Sequence, residues 1–156
     1  MSRAGAGALR LEAYAERDFP ALADLWVAAW KTTGFPIDFE ARREWLGRRL
    51  AALLNEGARI VVAHGEHGAL GFVSIDPASG WLDQLCVAPQ AFGAGVGRAL
   101  LREAMRLSPR AVALDVNEDN RRAVRFYERE GFRLIGRGVS AASGLPTLRM
   151  RWTAAA

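Results

Sequence analysis

Apolar and polar positions alternate along Leu9–Tyr14, the period of a first β-strand. After Asp18 the period lengthens. Leu22, Leu25, Trp26, Ala29 and Trp30 recur at helical spacing and predict a helix running to about Lys31, with Asp18 as N-cap and Pro20 tolerated in the first turn. Thr32–Pro36 breaks the pattern. Asp38 then opens a second helix to about Leu54, with Phe39, Leu46, Leu50, Leu53 and Leu54 on one side and Gly57 ending it. Beyond Gly57 the runs shorten to strand length. Arg59–His64, Ala69–Asp76 and Trp81–Val87, separated by the turns Gly65–Gly68 and Pro77–Gly80, predict an antiparallel meander. Gly95–Leu107 reads as a helix, Ala111–Val116 as a strand, and Asn120–Glu130 as a helix stopped by Gly131. Phe132–Ile135 and Leu145–Trp152 close the chain as strands joined by the Gly/Ser-rich loop Gly136–Gly144. The order is β-α-α-β-β-β-α-β-α-β-β, an α/β (α+β) chain with a central mixed, mostly antiparallel sheet flanked by helices.

Composition narrows the reading. A chain of 156 residues, half of them apolar, suits one domain with a sizeable core, placed at residues 9–156 behind a small, Gly/Ala-rich, disordered tail at 1–8. No apolar run approaches the length of a membrane span, and the tail lacks the apolar core of a secretory signal. The lone cysteine, Cys86, excludes an intrachain disulfide and points to a cytoplasmic protein. The net charge is +4, from 20 Arg and one Lys against 17 acidic residues. Because the arginines are spread out and interleaved with Asp and Glu, they describe a mixed-charge surface rather than a nucleic-acid face, although the positive field favours an anionic ligand.

The chemistry concentrates in Val87–Leu100, where a strand ends, Pro89 keeps Ala88 extended, and glycines alternate at 93, 95 and 97 before a helix. Glycines there permit positive φ and let a ligand approach bare backbone. N–H groups converging at a helix N-terminus bind anions, and a pyrophosphate fits such a turn. A flexible turn is the alternative. No Gly-Lys-Ser/Thr follows, and the spacing and antiparallel context do not suit a dinucleotide fingerprint. A second constellation, Leu114–Phe132, places Asn120, Ala123 and Tyr127 on one helix face, suited to a narrow extended ligand. An N-cap Asn beside a core aromatic is the alternative there.

Together the two segments resemble the GNAT acetyltransferase superfamily. The first is similar to its acetyl-CoA-binding motif, Val-x-Pro followed by a Gly-x-Gly turn opening a helix. The second is similar to its Asn-x-x-Ala-x-x-Phe-Tyr-x-x-x-Gly-Phe stretch. The element order fits that fold over nearly the whole chain. The resemblance implies a GNAT-like fold and transfer of an acetyl group from acetyl-CoA to a primary amine of a small molecule or peptide by direct attack. Its alternatives are acetylation of a protein N-terminus or lysine, and a non-catalytic acyl-CoA-binding regulatory domain.

The resemblance also implies roles. Backbone at Leu85, Cys86 and Val87 would pair with the pantetheine arm in a splay between strands. The N–H groups of Phe92, Gly93, Ala94, Gly95, Val96, Gly97 and Arg98 would hold the pyrophosphate. Asn120, with Ala123 beside it, would contact the cofactor arm, and Tyr127 would act as general acid at the thioester sulfur. The family usually carries Gln or Arg where this chain has Phe92, which removes a side-chain contact to phosphate. Cys86 reads as a packing thiol rather than a nucleophile, with no His nearby in sequence to activate it. Asp83 is the candidate base. The alternatives are that it caps, pairs with an Arg or binds the substrate. The loop Trp30–Asp38 would wall the acceptor pocket, with Trp30 and Phe35 either lining it or packing in the core, and Gly136–Gly144 is a second candidate wall. His64 and His67 flank a turn and read as solvent-exposed. No metal is implied, and a homodimer follows only from family analogy.

Overall fold

The computed structural model describes residues 9–155, so the tail expected at 1–8 lies outside the described residues. The strands are β1 (Arg10–Ala13), β2 (Arg59–Gly65), β3 (Gly68–Asp76), β4 (Trp81–Val87), β5 (Ala111–Asn117), β6 (Arg133–Val139) and β7 (Pro146–Thr153). The α-helices are α1 (Phe19–Lys31), α2 (Arg43–Asn55), α3 (Val96–Leu107) and α4 (Arg121–Arg129). One seven-stranded sheet has the order β1-β2-β3-β4-β5-β7-β6, antiparallel except at β4–β5.

β2 shows why its sequence reads as a continuous apolar run. Ile60 and Val62 face one core with α1 and α2, while Val61 and Ala63 face the other with α3. Both faces are covered, so neither set can be polar. On the first face Leu22, Leu25, Trp26, Leu46 and Leu50 meet Phe72 and Cys86. On the second, Leu100, Leu101 and Ala104 of α3 meet Val73, Ile75, Val112 and Leu114. Leu100 and Leu101 are fully buried, each contributing roughly 1.5–3 kcal/mol relative to exposure.

One cap and two boundaries differ from the sequence reading. Asp18 does not cap α1. Its Oδ2 accepts the N–H of Ala15 at 2.9 Å, closing a 3-10 turn over Glu16–Asp18. Asp38 does cap, accepting the N–H of Ala41 at 3.1 Å, but the turn it opens is 3-10 (Glu40–Arg42), and α2 starts after it. β6 runs on to Val139, through Gly136 and Gly138, because β7 pairs with it as far as Pro146. The glycines that read as loop are paired strand.

Two irregularities position the site. The parallel pair β4–β5 meets at Trp81 and Ala113, where the Ala113 N–H donates to the Gly80 carbonyl at 2.8 Å, and then the strands diverge. In β4, Gln84 opposes Ser74 and Leu82 opposes Ile75, so Asp83 is the extra residue of a bulge. Buried Ser74 fills the missing rung, its Oγ accepting the Gln84 N–H at 2.9 Å. A bulge re-aims the side chains around it.

Candidate active site

The divergence of β4 and β5 opens a cavity of about 500 Å³ between the Gly-rich turn, α4 and the end of α1. Its floor is β4. The N–H of Ala88 donates to Leu70 and that of Gln84 to Ser74, both across β3. Amides alternate in direction along a strand, so those of Leu85 and Val87 face the gap. Among the described residues no neighbouring strand pairs them there, and an extended ligand carrying amides can take the place of the missing strand.

At one end lies the turn. Pro89 starts a single 3-10 turn, after which Gly93 (φ 79°) and Gly95 (φ 87°) carry the chain through the left-handed region. Two of the N–H groups expected to bind pyrophosphate are used internally, Phe92 to the Pro89 carbonyl at 3.1 Å and Ala94 to Ala91 at 3.2 Å. The N–H groups of Gly93, Gly95, Val96, Gly97 and Arg98 have no backbone acceptor among the described residues, since the first bond of α3 is Ala99 to Gly95. Gly97 leaves no surplus space, because a Cβ there would sit 3.5 Å from both Phe126 and Val87.

The far wall is α4. Asn120 caps it, Oδ1 accepting the Ala123 N–H at 3.3 Å, and Asn120, Ala123 and Tyr127 all line the cavity. Asn120 is thus both cap and cavity wall. The Tyr127 ring is buried edge-on between Phe126 and Phe132, at 5.2 and 5.4 Å, and touches the cavity beside Cys86. Its hydroxyl has no hydrogen-bond partner among the described residues and is free for a ligand. Burial, and secondarily the Cys86 thiol, push its pKa above the ordinary phenol value, so it stays protonated. Burial likewise pushes the Cys86 thiol up to about 12, leaving it neutral and a poor nucleophile.

Asp83 does not line the cavity. Arg49 of α2 grips both its oxygens, at 2.7 and 3.0 Å, while Trp81 Nε1 donates at 3.3 Å and Gln84 Nε2 at 3.2 Å. Burial alone would raise the carboxyl pKa. The hydrogen bonds from Arg49, Gln84 and Trp81, with the charge of Arg49, outweigh it and hold the group below the usual carboxylate range. Of the alternatives open for Asp83, pairing with an arginine is the arrangement observed. A carboxylate so held is a weak proton acceptor.

Trp30 lines the cavity with Thr32 and Thr33, and its ring stacks on Phe39 at 5.5 Å. Phe35 lies 6.2 Å from Trp30, half-buried against the core and outside the cavity lining. Ala94 and Val96 also stand outside the lining. The second candidate wall, Gly136–Gly144, contributes no residue to the lining; it is held to the 3-10 turn before α2 by Arg42, whose Nη1 donates to the Ala142 carbonyl at 2.9 Å. His67 is exposed, and His64 is half-buried with Nε2 3.9 Å from Glu12. Sequence reasoning missed Arg122, Phe126, Arg129 and Glu130 in the lining. Helical spacing could have found them, since Phe126 lies three residues after Ala123, Glu130 three after Tyr127, and Arg122 and Arg129 flank Phe126 at i−4 and i+3.

A sheet splayed beside a turn with N–H groups to spare, and a buried phenol in the gap, make a slot for an extended ligand that carries amides and an anion. The chain belongs to the GNAT acetyltransferase family: the family model described as Acetyltransferase (GNAT) domain matches residues 56–134. The chain is similar to the peptidyl-lysine N-acetyltransferase YiaC of Escherichia coli (strain K12), 30% identical over 139 residues, covering 86% of this chain and 90% of the relative. It also resembles the solution structure of apo-form YjaB from Escherichia coli, with a TM-score of 0.75 and 27% identity, covering 94% of this chain and 99% of that one. The fold is shared with the PaiA N-acetyltransferase of Thermoplasma acidophilum solved with coenzyme A, at a TM-score of 0.76 and 18% identity over 94% of this chain and 99% of that chain.

Proposed function

We propose that the chain transfers an acetyl group from acetyl-CoA to a primary amine by direct attack, with a lysine side chain of a peptide as the acceptor class. The convergence in one cavity of unpaired β4 amides, free N–H groups of the turn and the unpartnered Tyr127 hydroxyl carries the reading. The lysine acceptor rests on the two Escherichia coli relatives, YiaC and YjaB, whose names describe peptidyl-lysine N-acetyltransferases.

The free N–H groups of Gly93, Gly95, Val96, Gly97 and Arg98 bind the pyrophosphate, and the Leu85 and Val87 amides pair with the pantetheine arm. An N–H facing the gap polarises the acetyl carbonyl as charge develops on its oxygen. The amine attacks the carbonyl carbon, the C–S bond breaks, and the electron pair leaves on sulfur. Tyr127 donates its O–H to that sulfur, and burial keeps the proton in place until charge builds there. The ammonium loses its proton to water before attack, the proton shed from nitrogen as the amide forms also passes to water, and water returns a proton to the Tyr127 phenolate. Asp83, locked by Arg49, fixes the bulge that aims β4 rather than taking the amine's proton.

Thiol release measured with acetyl-CoA over a panel of amines tests the reading. Release that depends on an added lysine peptide supports it. Binding of CoA without amine-dependent release would leave a binding domain instead.

A further inference from the structure

The Gly-rich turn opens with an aromatic residue where a polar or cationic side chain would be suited to an anion. Phe92 is half-buried at the first position of that turn and cannot itself contact a phosphate oxygen. A guanidinium covers it. Arg122, in the first turn of α4, places its central carbon 3.5 Å from the centroid of the Phe92 ring, and both side chains line the cavity.

The geometry of that stack decides what Arg122 can still do. A guanidinium resting on a ring uses its flat face, and the N–H donors radiate in the plane, so the stack leaves them available. The ring also limits the rotamers of an otherwise exposed side chain, so less freedom is lost when an anion binds. Its neighbours differ. Arg98 Nε lies 3.5 Å from the Glu130 carboxylate, which offsets much of its charge. Among the described residues Arg122 has no such acidic partner, and the unbonded N–H groups of Gly93 and Gly95 belong to the same turn that Phe92 opens.

We propose that Arg122, braced on the Phe92 ring, supplies the cationic side chain for the pyrophosphate of a bound CoA thioester, so that α4 rather than the turn carries the charge. The inference rests on the proposed acetyl-CoA reading and adds the phosphate contact to it. The aromatic residue at position 92 is then a support for the cation, not a lost contact.

Calorimetric titration with CoA, 3′-dephospho-CoA and pantetheine tests this without turnover. Arg122→Ala, an exposed position that should not disturb folding, should weaken CoA and 3′-dephospho-CoA alike by about tenfold or more and leave pantetheine unchanged. Phe92→Ala should weaken both nucleotides by a smaller factor, about two- to fivefold. The double variant Phe92→Arg/Arg122→Ala, with the charge moved onto the turn, should recover most of the loss. Unchanged CoA affinity in Arg122→Ala would overturn the proposal while leaving the acetyl-CoA reading intact. Loss confined to CoA would assign Arg122 to the 3′-phosphate instead, and equal loss for pantetheine would mark a structural defect. Wild-type protein that fails to bind CoA at all would remove both readings.

Discussion

Arg49 holds both carboxylate oxygens of Asp83, Nη2 to Oδ1 at 2.7 Å and Nε to Oδ2 at 3.0 Å, and so pins the bulge of β4 to α2. The clamp extends further. Gln84 donates to the same carboxylate and accepts from Trp26 Nε1 at 3.3 Å, which joins α1 to the network. Both α1 and α2 are therefore tied to the strand that would carry the cofactor arm.

Asp83→Asn should keep the shape of this junction and lose its charge. The Asp83 side chain is 13% exposed and Arg49 36%, so solvent screening reduces the loss to about 1–2 kcal/mol at neutral pH. The sign with pH follows from the depressed folded-state pKa. The pair's stability is fully present above the unfolded carboxyl value of about 3.9 and is lost as pH falls through the lower folded value. Thermal midpoints of wild type and variant should differ at pH 7 and converge below about pH 4. A gap of constant size down to pH 2 would show that charge is not the cause.

The same variant separates clamp from base. With Asp83 as a clamp, kcat should fall less than about tenfold and the shape of the pH–rate profile should be preserved, where loss of a general base typically costs about 10²–10⁴. Disappearance of the acidic limb in Asp83→Asn would restore Asp83 as the base.

Tyr127→Phe removes the only group of the phenol that faces the sulfur in the proposed mechanism and keeps the ring that packs on Phe126 and Phe132. Turnover should drop by about 10²–10³ with KM for acetyl-CoA nearly unchanged. Because burial raises the pKa, wild-type kcat should show no loss from phenol ionisation near pH 10.

Gly95→Ala and Gly97→Ala should part company. Gly95 sits at φ 87°, so any Cβ costs about 1–2 kcal/mol and distorts the turn whose N–H groups are free. Gly97 has helical backbone, and its added Cβ meets Phe126 and Val87 at an ordinary 3.5 Å. CoA affinity measured by titration should collapse in the first variant. In the second it should fall modestly.

Much of this was legible locally. The meander, the Gly-rich turn and the Asn120–Glu130 helix each carry their own period, caps and breakers, so their order could be read without tertiary information. The positions that give the site its character are long-range. Asp83 and Arg49 are 34 residues apart and Phe92 and Arg122 belong to different elements, and no periodicity brings such side chains together. The insertion of β7 between β5 and β6 is likewise invisible, because a Gly/Ser-rich connection looks the same whether its strands end as a simple meander or in this order. The bulge at Asp83 leaves no trace in sequence either, since it depends on what β3 places opposite.

In the proposed function the splayed sheet brings an acetyl thioester and an amine together beside Tyr127. Initial rates of CoA thiol release from acetyl-CoA, with and without an Nα-blocked lysine peptide, test it most directly when wild type and Tyr127→Phe are compared. Release should require the amine and fall by about 10²–10³ in the variant at unchanged CoA affinity. Amine-independent release, or equal rates in the two proteins, would contradict it.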